Sequence, residues 1–144
     1  MIEVSCSEEI LRSPDVVFQF AGDYANDPSW RAGVLSMVYE TSGPPAIGAR
    51  TRETMRGFGR TAVTVAEVTE YSPSRTAFRS LSGPVPCDGS REFFATSAGT
   101  RITYSLTLRP TGVLRVLQPL LRPVFAKRVR ADVRRLKHHL EAHR

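Results

Sequence analysis

All three histidines, His138, His139 and His143, fall in the last seven of the 144 residues. An interior built from the earlier part of the chain therefore has no imidazole, the commonest general base. No G-x-S-x-G motif and no cysteine with a neighbouring histidine is present, so a serine or cysteine triad has no support. There is no P-loop and no G-x-G-x-x-G, and Gly57-Phe58-Gly59 reads as a hairpin turn instead of a phosphate cradle. His139 and His143 have the i, i+4 spacing of a helical metal pair. No cysteine stands near them, so a solvated terminus is expected, with no metal and no cofactor.

Only two cysteines occur, Cys6 and Cys87, far apart in sequence. That suits reduced thiols better than a disulfide framework. Cys6 reads as small core filler in a strand. Cys87, in a loop flanked by proline, reads as a candidate reactive thiol. No apolar run approaches the ~20 residues of a membrane span. The opening MIEVSCSEEI has neither the basic nor the apolar region of a secretory signal, and a cytoplasmic location is expected.

Hydrophobic residues make up 41% and charged residues 24%, ordinary globular usage. The length favours one domain over residues 1–144. The net charge of +6 is unevenly spread. From Arg115 onward nine Arg or Lys stand against Asp132 and Glu141, a local +7, whereas eleven Arg and twelve acids precede it, a −1. A basic terminal helix suits an anionic surface or simply one solvated face of a packed helix. Stacking aromatics and a groove-reading motif are missing there, so no nucleic acid is expected.

The stretch SPDVVFQFAGDYANDPSW, residues 13–30, interrupts a chain that otherwise reads as strands. Ser13-Pro14-Asp15 is a helix start, and Gly22 a stop. Asp27-Pro28 repeats the start signal, which predicts a second short helix carrying Ser29, Trp30 and Arg31. The runs VLSMVYE, ARTRETMRG, RTAVTVAEVTEY, RTAFRSL, GSREFFATS and TRITYSLTLR follow, separated by Gly, Pro and Ser turns. Short connections predict an antiparallel meander. In the last run Ile102, Tyr104, Leu106 and Leu108 alternate with polar residues, so one face is buried. Leu117, Leu121, Phe125, Val129, Val133, Leu136 and Leu140 form one helical stripe to cover it. Pro119 and Pro123 are expected to kink that helix or to delay its regular part to residues 124–143.

A strand, two short helices, a six-stranded meander and a long terminal helix resemble the helix-grip arrangement of the START-like (SRPBCC) superfamily, most closely its polyketide cyclase/dehydrase and lipid-transport branch. The likeness rests on SPDVVFQFAGDYANDPSW, EVTEYSPSRTAFRS and RADVRRLKHHLE, and covers essentially the whole chain. It implies an α+β fold of about seven strands curved around the terminal helix, with a cavity between them. It also implies a small hydrophobic or aromatic ligand. The short helices would close one end of the cavity, with Trp30 as plug or wall.

Met55, Phe78, Glu92, Phe94, Tyr104, Leu121 and Phe125 join Trp30 as candidate ligand contacts. On the third strand Thr51, Glu53 and Met55 share a face, and the preference of Met55 for the interior turns Glu53 inward. Glu92 shares parity with Phe94, and Arg91 with Phe93, so that strand does not reveal its inner face. Among apolar groups an inward Glu holds its proton more tightly, which suits enolisation, aldol cyclisation or dehydration. Glu53 and Tyr104 are thus the candidate catalytic pair of a polyketide cyclase or aromatase. Alternatively Glu53 pairs with an arginine such as Arg79 and only holds the sheet. Arg52, Arg79 and Arg91 read as solvent-side residues, any of which could turn inward to an acidic head group. A third reading makes the basic helix an adaptor for an anionic partner. Homodimerisation is left open.

Overall fold

A computed structural model describes residues 1–57 and 59–142. Seven strands form one antiparallel sheet: β1 (Ile2–Ile10), β2 (Val34–Tyr39), β3 (Arg50–Gly57), β4 (Arg60–Ser72), β5 (Arg75–Ser82), β6 (Cys87–Ala95) and β7 (Thr100–Leu108). Their spatial order is β1-β7-β6-β5-β4-β3-β2, so all neighbours but β1 and β7 are also consecutive in the chain. Between β1 and β2 the chain crosses the full width of the sheet through α1 (Pro14–Ala21) and a 3₁₀ helix (Tyr24–Ser29). After β7 come the single turn α2 (Val113–Val116) and the long α3 (Gln118–Ala142). The curved sheet gripping one terminal helix is the helix-grip fold.

The six strand runs and their turns fall where turn chemistry separates them. Of the turn at Gly57-Phe58-Gly59, Phe58 lies outside the described residues, and Gly57 pairs with Arg60 across it. Ser13 precedes α1 in extended conformation, with Pro14 at the first helical position, but its hydroxyl makes no capping bond. Gly22 ends α1 through a hydrogen bond from its N–H to the Phe18 carbonyl at 2.7 Å.

Two helix boundaries differ from the sequence reading. The second short helix starts earlier, because Asp23 is its cap: the Asp23 carboxylate accepts from the Ala25 N–H at 3.0 Å. Pro28 lies inside that helix, and Trp30 and Arg31 follow it. The terminal helix begins at Gln118 and runs through Pro123, not after it. Pro119 sits in the first turn, where its missing donor has no partner to lose.

The core lies between the concave face, α1 and α3. Ile2, Val4 and Ile10 of β1, Ile102, Tyr104 and Leu108 of β7, and Phe93 of β6 pack with Val129, Val133, Leu136 and Leu140 of α3. A second cluster joins Tyr24, Val34, Met37, Ala49 and Val68. The convex face is wet, with hydroxyl rungs such as Ser7 to Thr103 at 2.7 Å and half-exposed ion pairs such as Arg52–Glu40 and Arg79–Glu67. Such pairs contribute little to stability. Among the described residues no helix is long and apolar enough to cross a membrane.

Candidate functional site

The sheet and α3 do not close on each other, and a cavity of about 640 Å³ lies between them. Its origin is visible strand by strand. Between Arg60 and Val68 the inward positions of β4 carry Ala62, Thr64 and Ala66, and β6 contributes Gly89, over which the Phe78 ring lies. Small residues there leave room that the larger residues on the other strands do not fill. Met37, Met55, Phe78, Leu106 and Leu108 line the sheet side, and Leu114, Leu117, Leu121, Phe125 and Val129 line the helical side.

Arg60 and Arg128 also line the cavity, and one connected polar cluster interrupts its apolar wall. Arg31, just past the 3₁₀ helix, donates to Glu53 of β3 at 2.7 Å and to Asp27 at 2.9 Å. Asp27 in turn accepts two bonds from Arg91 of β6, at 2.9 and 2.7 Å. The Arg91 guanidinium lies over the rings of Tyr24 and Trp30, 4.5 and 4.8 Å from their centroids, and 5.4 Å from that of Tyr104. Asp27 and Arg91 are fully buried, at 0% and 1% exposure, and form the floor beneath the cavity. Arg31, Glu53 and Tyr104 are on its wall.

Asp132 of α3 completes the group, accepting from the Ala32 N–H at 3.0 Å and from Arg135 at 3.1 Å. Burial raises its pKa, although Ala32, Arg31 and Arg135 pull the other way. Burial also raises the Tyr104 phenol, more than the two guanidiniums lower it, so Tyr104 keeps its proton at neutral pH. Burial alone would weaken the charge on Arg31, but Tyr104, Glu53 and Asp27 more than offset it and Arg31 stays a cation. Its Nε is buried without a partner. The wall thus presents a proton donor, a carboxylate and a guanidinium within one apolar enclosure.

A sequence profile described as polyketide cyclase / dehydrase and lipid transport matches residues 1–141. The chain belongs to this family. Solved structures agree on the fold. A START superfamily protein from Mycobacterium smegmatis superposes with a TM-score of 0.84 at 13% identity, covering 99% of both chains. A protein from Thermus thermophilus gives 0.82 at 21% identity over 97% of both. The Zhui aromatase/cyclase from a Streptomyces species gives 0.75 at 16% identity, over 96% of this chain and 93% of that one. A search of curated proteins found no match. At these identities the structural likeness establishes the helix-grip fold of the START/SRPBCC superfamily and no particular chemistry.

Of the residues proposed from the sequence, the fold brings Glu53, Met55, Phe78, Tyr104, Leu121 and Phe125 to the cavity wall of this family member. Three others lie elsewhere. Trp30 is wholly buried in the core beneath the cavity, edge-on to Tyr104 with ring centroids 5.6 Å apart, so it is plug and not wall. Glu92 pairs with Arg75 at 3.2 Å on the convex face, and Phe94 is half-exposed there. The parity of β6 takes this sense because Arg91 must turn inward to reach Asp27. Of the three arginines, Arg52 and Arg79 do face solvent in ion pairs, whereas Arg91 is buried and already committed to a carboxylate.

Glu53 pairs with Arg31, not Arg79, and the apolar surroundings expected for it include a guanidinium. Cys87 opens β6 on the cavity wall instead of lying in a loop, and burial raises its pKa, which works against thiolate reactivity. His139 stacks on Phe20 with centroids 4.6 Å apart, while His143 lies outside the described residues. Among the described residues no group of three or more His, Cys, Asp or Glu could hold a metal ion.

Sequence patterning does not single out Asp27, Arg31 and Asp132 as site residues. Asp27 reads as a helix start, although an acid and a base at i, i+4 also signal a pair. Asp132 has a weaker signal, as the first acid after Glu92.

Proposed function

We propose that this protein binds a small, largely apolar or aromatic molecule between the sheet and α3, with a polar substituent of the ligand meeting Arg31, Glu53 and Tyr104. The observation that supports this most is the composition of the cavity wall: mostly apolar side chains, with Arg60 and Arg128 also on it, and one cluster in which a charged Arg31 keeps an unpartnered Nε. Pockets of this volume with few convergent polar groups suit ligands of a few hundred daltons. Asp27, Glu53, Arg31 and Arg91 balance one another and Asp132 is balanced by Arg135, so this part of the wall suits a neutral carbonyl or hydroxyl better than a carboxylate.

A second reading, an aromatase or cyclase acting on a polyketide-like substrate, draws on the same wall. A protonated Tyr104 beside the Glu53 carboxylate offers a donor and an acceptor for enolisation or dehydration, with the enclosure imposing the fold of the substrate. Native mass spectrometry of the freshly purified protein, followed by denaturing extraction, tests the binding reading. A reproducible adduct of a few hundred daltons is expected. A clean mass, together with no thermal shift from a panel of neutral polycyclic phenols and ketones, counts against it. With a turned-over substrate in hand, Glu53→Gln and Tyr104→Phe abolish product formation and spare binding if the pair is catalytic. Unchanged turnover in both removes the enzymatic assignment.

A further inference from the structure

Residues 113–124 do two things at once. Leu114, Leu117 and Leu121 line the cavity. On the outside Val113, Val116, Leu120 and Val124 recur at spacings of three, four and four, and they are 77%, 79%, 71% and 48% exposed. Four large aliphatic side chains on one stripe make a patch that a water-facing helix does not need. Pro119 and Pro123 are exposed beside them.

The charges that this segment itself carries are all of one sign. Between Glu92 and Asp132 the chain has no acidic residue. Arg115, Arg122, Lys127 and Arg130 are exposed in or next to the stripe, and none of them is ion-paired among the described residues. An apolar stripe rimmed by cations is the pattern of a segment that lies in a membrane interface: aliphatic groups enter the acyl boundary and cations meet anionic head groups.

We propose that residues 113–124 and the cations flanking them form a docking surface for an anionic lipid bilayer, which brings the helical wall of the cavity against the membrane. Nucleic acid fits worse, because a phosphate backbone offers nothing to Val113, Val116 and Leu120 and the stripe has no aromatic to stack on bases. A symmetric second copy fits worse too, since an interface built on the same patch twice would set the cations of one copy against those of the other.

Sedimentation of the full chain with sucrose-loaded vesicles tests this, and the readout does not depend on whether the cavity is occupied. Partition into phosphatidylserine/phosphatidylcholine vesicles at about 0.1 M salt is expected, with little into pure phosphatidylcholine and a steep loss at about 0.5 M salt. Arg115→Gln with Arg122→Gln should lower it about 25-fold, at about fivefold per charge. Val116→Ser with Leu120→Ser should lower it about tenfold or more. All four positions are exposed, and circular dichroism melting checks that both variants stay folded. No partition into the anionic vesicles, equal partition into neutral ones, or partition that neither variant changes overturns the proposal. So does a dimer in sedimentation velocity that the serine variant converts to monomer, because the stripe is then covered by a second copy.

Discussion

Replacing Asp27 by asparagine removes one charge from the most enclosed part of the molecule and leaves the rest in place. The carboxylate accepts from both terminal nitrogens of Arg91 and from Arg31, all within 2.9 Å, and neither Asp27 nor Arg91 reaches solvent that could screen the loss. With asparagine the four-residue cluster goes from zero to +1, and Arg91 keeps its Ala21 carbonyl bond and its aromatic neighbours but no full counter-charge. Breaking a buried pair from one side costs about 3–5 kcal/mol. For a chain of this length that lowers the melting temperature by roughly 10–15 °C. Urea unfolding followed by Trp30 fluorescence reads the same quantity, since the single tryptophan is buried against this pair. The double variant Asp27→Asn, Arg91→Met removes the orphaned charge and should recover at least about 1 kcal/mol over the sum of the single losses. A loss below about 1 kcal/mol for Asp27→Asn, or strict additivity in the double variant, would refute the view that this pair anchors the fold.

Two further outcomes follow from the same geometry. Because burial raises the Asp132 pKa in the folded state, the native protein holds a proton there that the unfolded chain has released once pH exceeds about 3.9. The associated stability is complete below that value and is lost as pH rises through the raised native pKa, so Asp132→Asn should gain in melting temperature over the parent between about pH 4 and pH 7. A difference that is flat or shrinks with pH contradicts this. Gly89→Ala would place a methyl 2.7 Å from the Phe78 ring and 2.9 Å from the Ser105 carbonyl oxygen, and the ring must swing into the cavity. A cost of about 1–3 kcal/mol in urea unfolding is expected, and unchanged stability would show that the ring yields freely.

Strand parity and helix stripes are legible in the sequence because they report a single variable, which side is apolar. They locate β1 through β7, the buried face of β7 and the stripe of α3 from residues alone. The inward turn of Glu53 follows from Met55 by the same logic. Parity fails on β6, where polar and apolar residues share both faces and a charge has to go inside. Only the position of Asp27, on a helix from the other end of the chain, decides that Arg91 is the inward residue. The walls of the cavity resist reading for a related reason: its room is made by what is small, Ala62, Thr64, Ala66 and Gly89, and small residues carry no periodic signal. The plugging role of Trp30 is in view from the sequence, but the cation beneath its ring is not.

The two arginines on Asp27 divide the site into parts with different freedom to change. Arg91 uses both oxygens of the carboxylate, whereas Arg31 shares one of them and spends its shortest bond on Glu53. Removing Arg31 and Glu53 together would take away one cation and one anion, and Asp27 and Arg91 would remain matched. The chemistry that the cavity wall presents can therefore be rewritten at two positions while the floor that holds the crossover to the sheet stays intact. A cavity arranged this way is open to redesign, and to natural drift, without the scaffold having to be rebuilt each time.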